Sequence, residues 1–304
     1  MIALLLACTS EAPPEATAAS FTDPEAPWLG AEPDDGVSID LAVVTGAIET
    51  AYAALDQIDP DPLLTVYDAA LADSAPGCPA FYTAEDGFGY WLDDCEAPSG
   101  ARFEGFGVGQ VDTDVPFDQD LFGTTTTIGG SGTMVAADGT TLTMNGFVQL
   151  SEASSPGLTF ESLVVSGTFS TDAPGAGGTW LAQGWEPEVT VVRYELPGGG
   201  RVRTATGVLE GLSVDGSVVP VVLQDVAVAE EATNLSDCAD EPTGVVSVRI
   251  DGDWVDVIFD PVAIDGGIAT EPGLCDGCGE AWSGVTSLGP VCPDVGALFG
   301  DQAR

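Results

Sequence analysis

A mainly β, antiparallel fold is predicted for this 304-residue chain by three features of its sequence. From Cys78 onward, Thr, Val, Gly and aromatic residues alternate with the period of two that marks half-buried strands. Asp-Gly, a strong hairpin signal between alternating runs, occurs at Asp86-Gly87, Asp138-Gly139, Asp215-Gly216 and Asp251-Gly252. Near the N-terminus one apolar stripe of helical spacing stands apart from this pattern. Strands joined in sequence by short turns make an antiparallel meander. A meander of more than about ten strands rarely stays flat and open, so a large twisted sheet or a sandwich is expected.

The chain opens Met1-Ile2-Ala3-Leu4-Leu5-Leu6-Ala7-Cys8-Thr9-Ser10. An apolar run ending in Leu5-Leu6-Ala7-Cys8 resembles the lipobox of bacterial lipoproteins. The resemblance covers these first residues only. It implies that 1–7 is a signal peptide, that Cys8 is acylated, and that the lipid holds the protein at a membrane of the cell envelope. Thr9, where an Asp would imply inner-membrane retention, favours the outer membrane. No basic residue precedes the run and the run is short, as expected of a signal with a truncated start. Residues 8–36 are rich in Pro, Ala, Glu and Asp without apolar periodicity, and read as a lipidated Cys followed by a disordered tether.

Residues 37–76 read as helical. Leu41, Val44, Ile48, Ala51, Leu55 and Ile58 share one helical face. Asp34, Asp35 and Ser38 are capping candidates, and Pro60 is a stop. A shorter helix is expected across Leu63, Val66, Tyr67 and Leu71. Residues 77–262 read as the β domain, with strands near 80–85, 88–95, 101–111, 124–136, 140–150, 158–170, 188–196, 201–214, 217–229, 245–250 and 254–259. Gly105, Gly107, Gly109, Gly146, Gly167, Gly207 and Gly211 fall inside strands, where glycine marks a bulge or a close approach. Some of them are expected to form a shallow lane for the Leu41–Ile58 helix. Residues 263–304 read as an irregular, Cys-rich C-terminal cap.

Two hairpins yield registers. With Asp86-Gly87 as a two-residue turn, Thr83 faces Tyr90, Tyr82 faces Trp91, and Cys78 faces Cys95. Cys78–Cys95 then falls at a non-hydrogen-bonded pair, within disulfide reach. Such a bridge closes a short loop and contributes roughly 3 kcal/mol. With Asp251-Gly252 as a turn, Arg249 faces Trp254, Val248 faces Val255 and Ser247 faces Asp256. One face is then core-like, with Val246, Val248, Ile250, Val255, Val257 and Phe259. The other makes Arg249, Trp254 and Asp256 a candidate binding surface, of a kind used for sugars or peptides. Of seven cysteines, Cys8 is assigned to lipid and Cys78–Cys95 to a bridge. Cys238, Cys275, Cys278 and Cys292 are left for two more bridges, as suits an oxidising compartment. Cys238–Cys275 with Cys278–Cys292, or the swapped pairing, both fit. Cys275-Asp276-Gly277-Cys278 also has the spacing of a zinc site or a redox dithiol.

The chain has 49 Asp and Glu, six Arg, no Lys and no His, for a net charge of −43. Nucleic acid is excluded as a partner, and anionic lipid would repel the protein without a tether. Without His or Lys there is no Ser-His-Asp or Cys-His catalysis, Schiff base, lysine phosphate loop or histidine-held zinc. Carboxylates, Tyr and Cys remain for acid–base work. Asp112, Asp114, Asp118 and Asp120 fall in an expected loop. They lack the glycine and final Glu of an EF-hand, which leaves a looser Ca²⁺ site against a solvated acidic loop. No other cofactor is indicated. The expected function is a cell-envelope lipoprotein with a binding or structural role, its protein or glycan ligand unspecified. The alternatives are a carboxylate-based glycan hydrolase and a Ca²⁺-binding surface protein. No residue pair is marked as catalytic.

Overall fold

This computed structural model describes residues 39–56, 58, 60–83, 89–92, 94–118, 121–156, 158–173, 185–195, 200–214, 217–230, 242–259, 276–284 and 286–299. Helices α1 (Leu41–Asp56) and α2 (Asp61–Ala72) come first. Strands follow as β1 (Ala80–Thr83), β2 (Gly89–Leu92), β3 (Cys95–Glu96), β4 (Arg102–Asp118), β5 (Leu121–Val135), β6 (Thr141–Ser155), β7 (Leu158–Thr171) and β8 (Trp185–Glu195). Next are β9 (Arg201–Leu209), β10 (Ser213–Val214), β11 (Ser217–Val218), β12 (Val221–Ala229), β13 (Thr243–Ile250) and β14 (Asp253–Phe259). The last are β15 (Gly279–Ser283) and β16 (Thr286–Val291), before a 3-10 turn at Val295–Phe299. Fourteen strands follow the hydrogen-bonded order β1-β2-β4-β5-β6-β7-β8-β9-β12-β13-β14-β15-β16, with β3 on β4; β10 and β11 pair separately. The expected mainly antiparallel β fold is therefore present, as one large sheet. The chain divides into two compact units, 57–190 and 1–56 with 191–304. The division falls inside the stretch read as one β domain, within β8.

In the 57–190 unit, α2 turns Leu63, Val66, Tyr67 and Ala70 inward against β5 and β6. Beneath it lie Trp91, Phe103, Ile128, Met134, Leu142, Met144, Val148, Leu163 and Val165, all buried. Across this face runs a row of glycines. Trp91 pairs with Gly107, Gly107 with Gly130, Gly130 with Gly146, and Gly146 with Gly167. A Cβ on Gly146 would lie 1.9 Å from the Ser166 carbonyl oxygen, and one on Gly167 would lie 2.0 Å from that of Asn145. Both residues have positive φ, 147° and 89°. The glycines exist because the strands themselves touch. A Cβ on Gly107 would strike the Trp91 ring, and one on Gly109 the Tyr67 ring of α2. The expectation that these glycines seat the Leu41–Ile58 helix is not met at Gly107 and Gly109, where the rings of Trp91 and Tyr67 lie instead.

In the other unit, α1 begins at Asp40, whose carboxylate accepts the Ala42 N–H at 2.9 Å. The capping candidates Asp34, Asp35 and Ser38 lie outside the described residues. The buried stripe Val44, Ala47, Ile48, Ala51, Tyr52 and Leu55 packs toward β12, β13, β16 and the 3-10 turn. On one face of this part of the sheet Leu209, Val221, Leu223, Val246, Val248, Val255 and Val257 are in register and buried. At Asp225, with φ 49°, β12 carries a bulge that shifts its register to both neighbours. Because of that extra residue, Val226 and Val228 stay on the buried side already occupied by Val221 and Leu223.

The C-terminal stretch corrects the sequence reading. Residues 279–291 are not irregular: β15 pairs with β14 and β16 with β15. β15 is only five residues long and β16 contains Pro290, so neither carried a strong alternation signal. The acidic segment is corrected too. Asp112, Asp114 and Asp118 belong to β4, because the strand runs past Val111 to Asp118 with a bulge at Asp114.

Gly146→Ala is expected to lower stability by about 2 kcal/mol or more, through both the carbonyl clash and the positive φ. Gly46→Ala, inside α1, meets only Val214 at 3.8 Å and is expected to raise stability by up to ~1 kcal/mol. Urea unfolding of both variants checks the contrast.

Candidate functional site: an uncharged aromatic face

Side chains alternate across a sheet, so residues next to the glycine row point away from α2. They form a second row on the opposite face. Tyr82 pairs with Tyr90, Tyr90 with Val108, Val108 with Gly129, Gly129 with Phe147, and Phe147 with Ser166. Tyr82 is 43% exposed, and Phe147 is 36% exposed. Tyr82 stacks on Tyr90 with ring centroids 5.6 Å apart, and Tyr90 lies 6.2 Å from Phe106. Gly129 leaves a low point between Val108 and Phe147, since a Cβ there would come within 2.8 Å of the Phe147 Cβ.

Two uncharged rows, mixing polar and apolar side chains, flank the aromatic one. On one side Leu92, Phe106, Ser131, Asn145 and Thr168 are in register, with Leu92 40% and Phe106 37% exposed. On the other side come Gln110, Thr127, Gln149 and Val164. Gln149 Nε2 donates to Thr127 Oγ1 at 3.3 Å, and beyond them Thr125 and Ser151 share a 3.0 Å hydrogen bond. None of these three rows contains a described charged side chain, in a chain of net charge −43. The buried side holds the face in place. Trp91 is fully buried and meets Phe103 edge-on at 5.6 Å. The Tyr67 hydroxyl sits beside the Trp91 indole, and burial pushes its pKa up to about 12, so it stays neutral.

The face was not legible from the assumed turn. Tyr82 pairs with Tyr90 and Thr83 with Gly89, one residue out of the register that a two-residue Asp86-Gly87 turn imposes. The slip swaps Trp91 for Tyr90 opposite Tyr82, and sends Trp91 to the core. Alternation along β6 was the available signal: Met144 and Val148 are buried, which leaves Phe147 to point outward.

The surface nominated at Arg249, Trp254 and Asp256 is corrected. Every registered pair is as expected: Arg249 with Trp254, Val248 with Val255, Ser247 with Asp256. The Arg249 guanidinium lies 5.9 Å from the Trp254 ring centroid. Trp254 and Asp256 are each only 5% exposed, so this side is not an open surface. Val208 and Val222, from neighbouring strands, close around the indole. The near-continuous apolar runs Val221-Val222-Leu223 and Val245-Val246-Ser247-Val248 signal burial on both faces. Asp256 accepts a hydrogen bond from Ser247 Oγ. Burial pushes its pKa up to about 6, against the smaller downward pull of that hydrogen bond.

Cys78 and Cys95 form a disulfide with Cα atoms 5.6 Å apart. The β1–β2 ladder ends at Ala80 and Leu92, so the bridge lies beyond it and not at the non-hydrogen-bonded pair expected. Cys278 is bonded to Cys292, which removes the thiolate that a zinc site or a redox dithiol at Cys275-Cys278 requires. Cys8, Cys238, Cys275 and Asp120 lie outside the described residues. Asp112 accepts both Gln110 Nε2 contacts at 2.8 Å. Among the described residues, no three His, Cys, Asp or Glu side chains gather as a metal site, and no helix is long and apolar enough to cross a membrane.

No protein-family model, no curated protein and no solved structure matches this chain.

Asp256 generates a pH dependence. Its folded pKa lies above the ordinary 3.8, so the native state holds the proton more tightly than the unfolded chain. Stability is therefore greatest below about pH 4, falls between about pH 4 and 6, and is level above, all from this one group. Asp256→Asn keeps an acceptor for Ser247 and is expected to stabilise the protein by up to about 3 kcal/mol at pH 7. The gain should shrink toward pH 4. Urea unfolding of both proteins from pH 4 to 8 checks this, and a pH-independent difference would contradict it.

Proposed function

We propose that this protein is a cell-envelope lipoprotein, anchored through Cys8, that works by binding and without a catalytic step. The uncharged aromatic face is the observation that carries the binding role. Monomeric soluble proteins rarely leave such a patch exposed without a use. Tyr and Phe supply contact area at a small entropic cost. A glycan hydrolase asks instead for two facing acids beside aromatic walls, and the three rows contain no acid.

Export is supported independently of the first eight residues. The disulfides Cys78–Cys95 and Cys278–Cys292 suit an oxidising compartment. The acidic, proline-rich stretch after Cys8 serves as the leash between lipid and fold. With 49 acidic residues, the lipid supplies an attachment that anionic headgroups would not.

Intact mass of detergent-extracted protein tests this reading. A chain beginning at Cys8, carrying acyl mass and losing two hydrogens per bridge, is expected. Cys8→Ser should move the protein to the soluble fraction. An unacylated Cys8 thiol in the extracted protein would overturn the anchor.

A further inference from the structure

We infer that the aromatic face is a binding site for an uncharged polysaccharide chain, laid along the row from Tyr82 to Phe147 across β1, β2, β4, β5 and β6. The inference rests on the binding role proposed above and gives it a ligand class.

Its support begins with ring placement. Tyr82, Tyr90 and Phe147 lie in a single cross-strand row, with Phe106 beside Tyr90. Strands lie about 4.8 Å apart, which separates Tyr90 from Phe147 by about 14 Å over three strand steps. That span suits a chain of several sugar rings better than a single small molecule. Sugar rings offer C–H faces that stack on aromatic rings, with hydroxyls around the rim. The residues beside the aromatic row match that rim. Asn145 and Gln149 flank Phe147 on the same face of β6, and each amide can donate and accept. Ser131 and Thr168 add hydroxyls in the row of Phe106. Between the rings the row passes through buried Val108 and Gly129, so the exposed contact area lies at its two ends, Tyr82 with Phe106 and Phe147.

Charge selects among occupants. A net charge of −43 repels polyanions such as nucleic acid or phosphate-bearing polymers. It also repels a second copy of the chain, and these rows hold no Arg to offset that. Acids border the rows on the same face, Glu104 next to Phe106 along β4 and Asp112 on Gln110, and a cationic peptide would be held at those borders and not on the rings. A bilayer surface usually needs basic residues beside its aromatics. A neutral, hydroxyl-rich chain pays none of these electrostatic penalties.

Affinity electrophoresis of the purified full chain tests the inference, in native gels containing dextran, laminarin, galactomannan or xyloglucan. Retardation by at least one of these polymers is expected. Phe147→Ala and Tyr90→Ala should each weaken it tenfold or more, and Phe147→Ala with Tyr90→Ala should abolish it. Phe122→Ala, an exposed ring outside the three rows, should leave it unchanged. Far-ultraviolet dichroism and melting temperature establish that each variant is folded. Retardation by none of the four polymers, or retardation undiminished in the folded aromatic variants, overturns the inference. A parallel sedimentation assay with phosphatidylcholine vesicles, and capture on an array of uncharged peptides, separate the two levels. Binding there that is lost with Phe147→Ala overturns the polysaccharide and leaves the binding role standing. Wild-type silence in all three assays removes both.

Discussion

At Gly146 and Gly167 two neighbouring strands approach so closely that a Cβ on either would overlap a carbonyl oxygen of the other. The same condition recurs where Gly130 meets Phe106, whose carbonyl oxygen lies 2.1 Å from the Cβ that Gly130 lacks. This contact has consequences on both sides of the sheet. Toward α2 the glycines leave a strip without side chains, and the large rings of Trp91 and Tyr67 fill the space at Gly107 and Gly109. On the opposite side, alternation obliges the residues on either side of each glycine to project together. Those residues are Phe106 and Val108, Gly129 and Ser131, Asn145 and Phe147, Ser166 and Thr168. The seat of the buried tryptophan and the exposed aromatic face thus share one backbone constraint.

Five of the six arginines belong to the other unit, Arg102 being the exception. Of six arginines, three lie near the C-terminal end of α1, which has no basic residue in its own last turn. Arg193 donates to the Leu55 carbonyl at 3.2 Å, and Arg203 pairs with the Asp56 carboxylate at 2.6 Å. Arg201 is held by Glu230 through two hydrogen bonds. Burial, and then the charge of Arg193, pull the Arg203 pKa down, while Asp56 opposes them. Positive charge at a helix C-terminus complements the helix dipole. Here the strands β8 and β9 supply what the helix sequence lacks. Arginines used this way serve packing and helix termination, and leave the acidic character of the surface intact.

Much of the architecture was legible because its signals are local. The α1 stripe, the shorter α2 and the Asp251-Gly252 hairpin depend on spacing within a few residues, and each is present, the hairpin with the pairing expected. The aromatic face depends on registers carried through five strands, so one misplaced turn hides it. At Asp86-Gly87 the assumed two-residue loop put Tyr82 opposite Trp91, and a single-residue slip exchanged surface and core. The Cys78–Cys95 pair survived that error because a disulfide joins side chains beyond the ladder and needs no shared register. At Trp254 and Asp256 the pairing was right and the burial was not. Cross-strand partners follow from a turn, whereas what covers a face depends on neighbouring strands far off in sequence.

The charge distribution and the aromatic face fit together as complementary controls on association. An exposed ring system on a neutral protein invites contact with other copies of itself. Here each copy carries −43, and repulsion acts over roughly 8–10 Å at moderate salt, before any ring can touch another. The rows themselves carry no charged side chain, and the nearest acids on that face, Glu104 and Asp112, stand at their borders. On the binding role proposed above, net charge governs which partners come near, and the three uncharged rows govern which stay. A strongly acidic chain can therefore keep an aromatic surface open to water and still discriminate. In that proposal the selection rests on keeping charge to the borders of the rows, at Glu104 and Asp112, as much as on the rings between them.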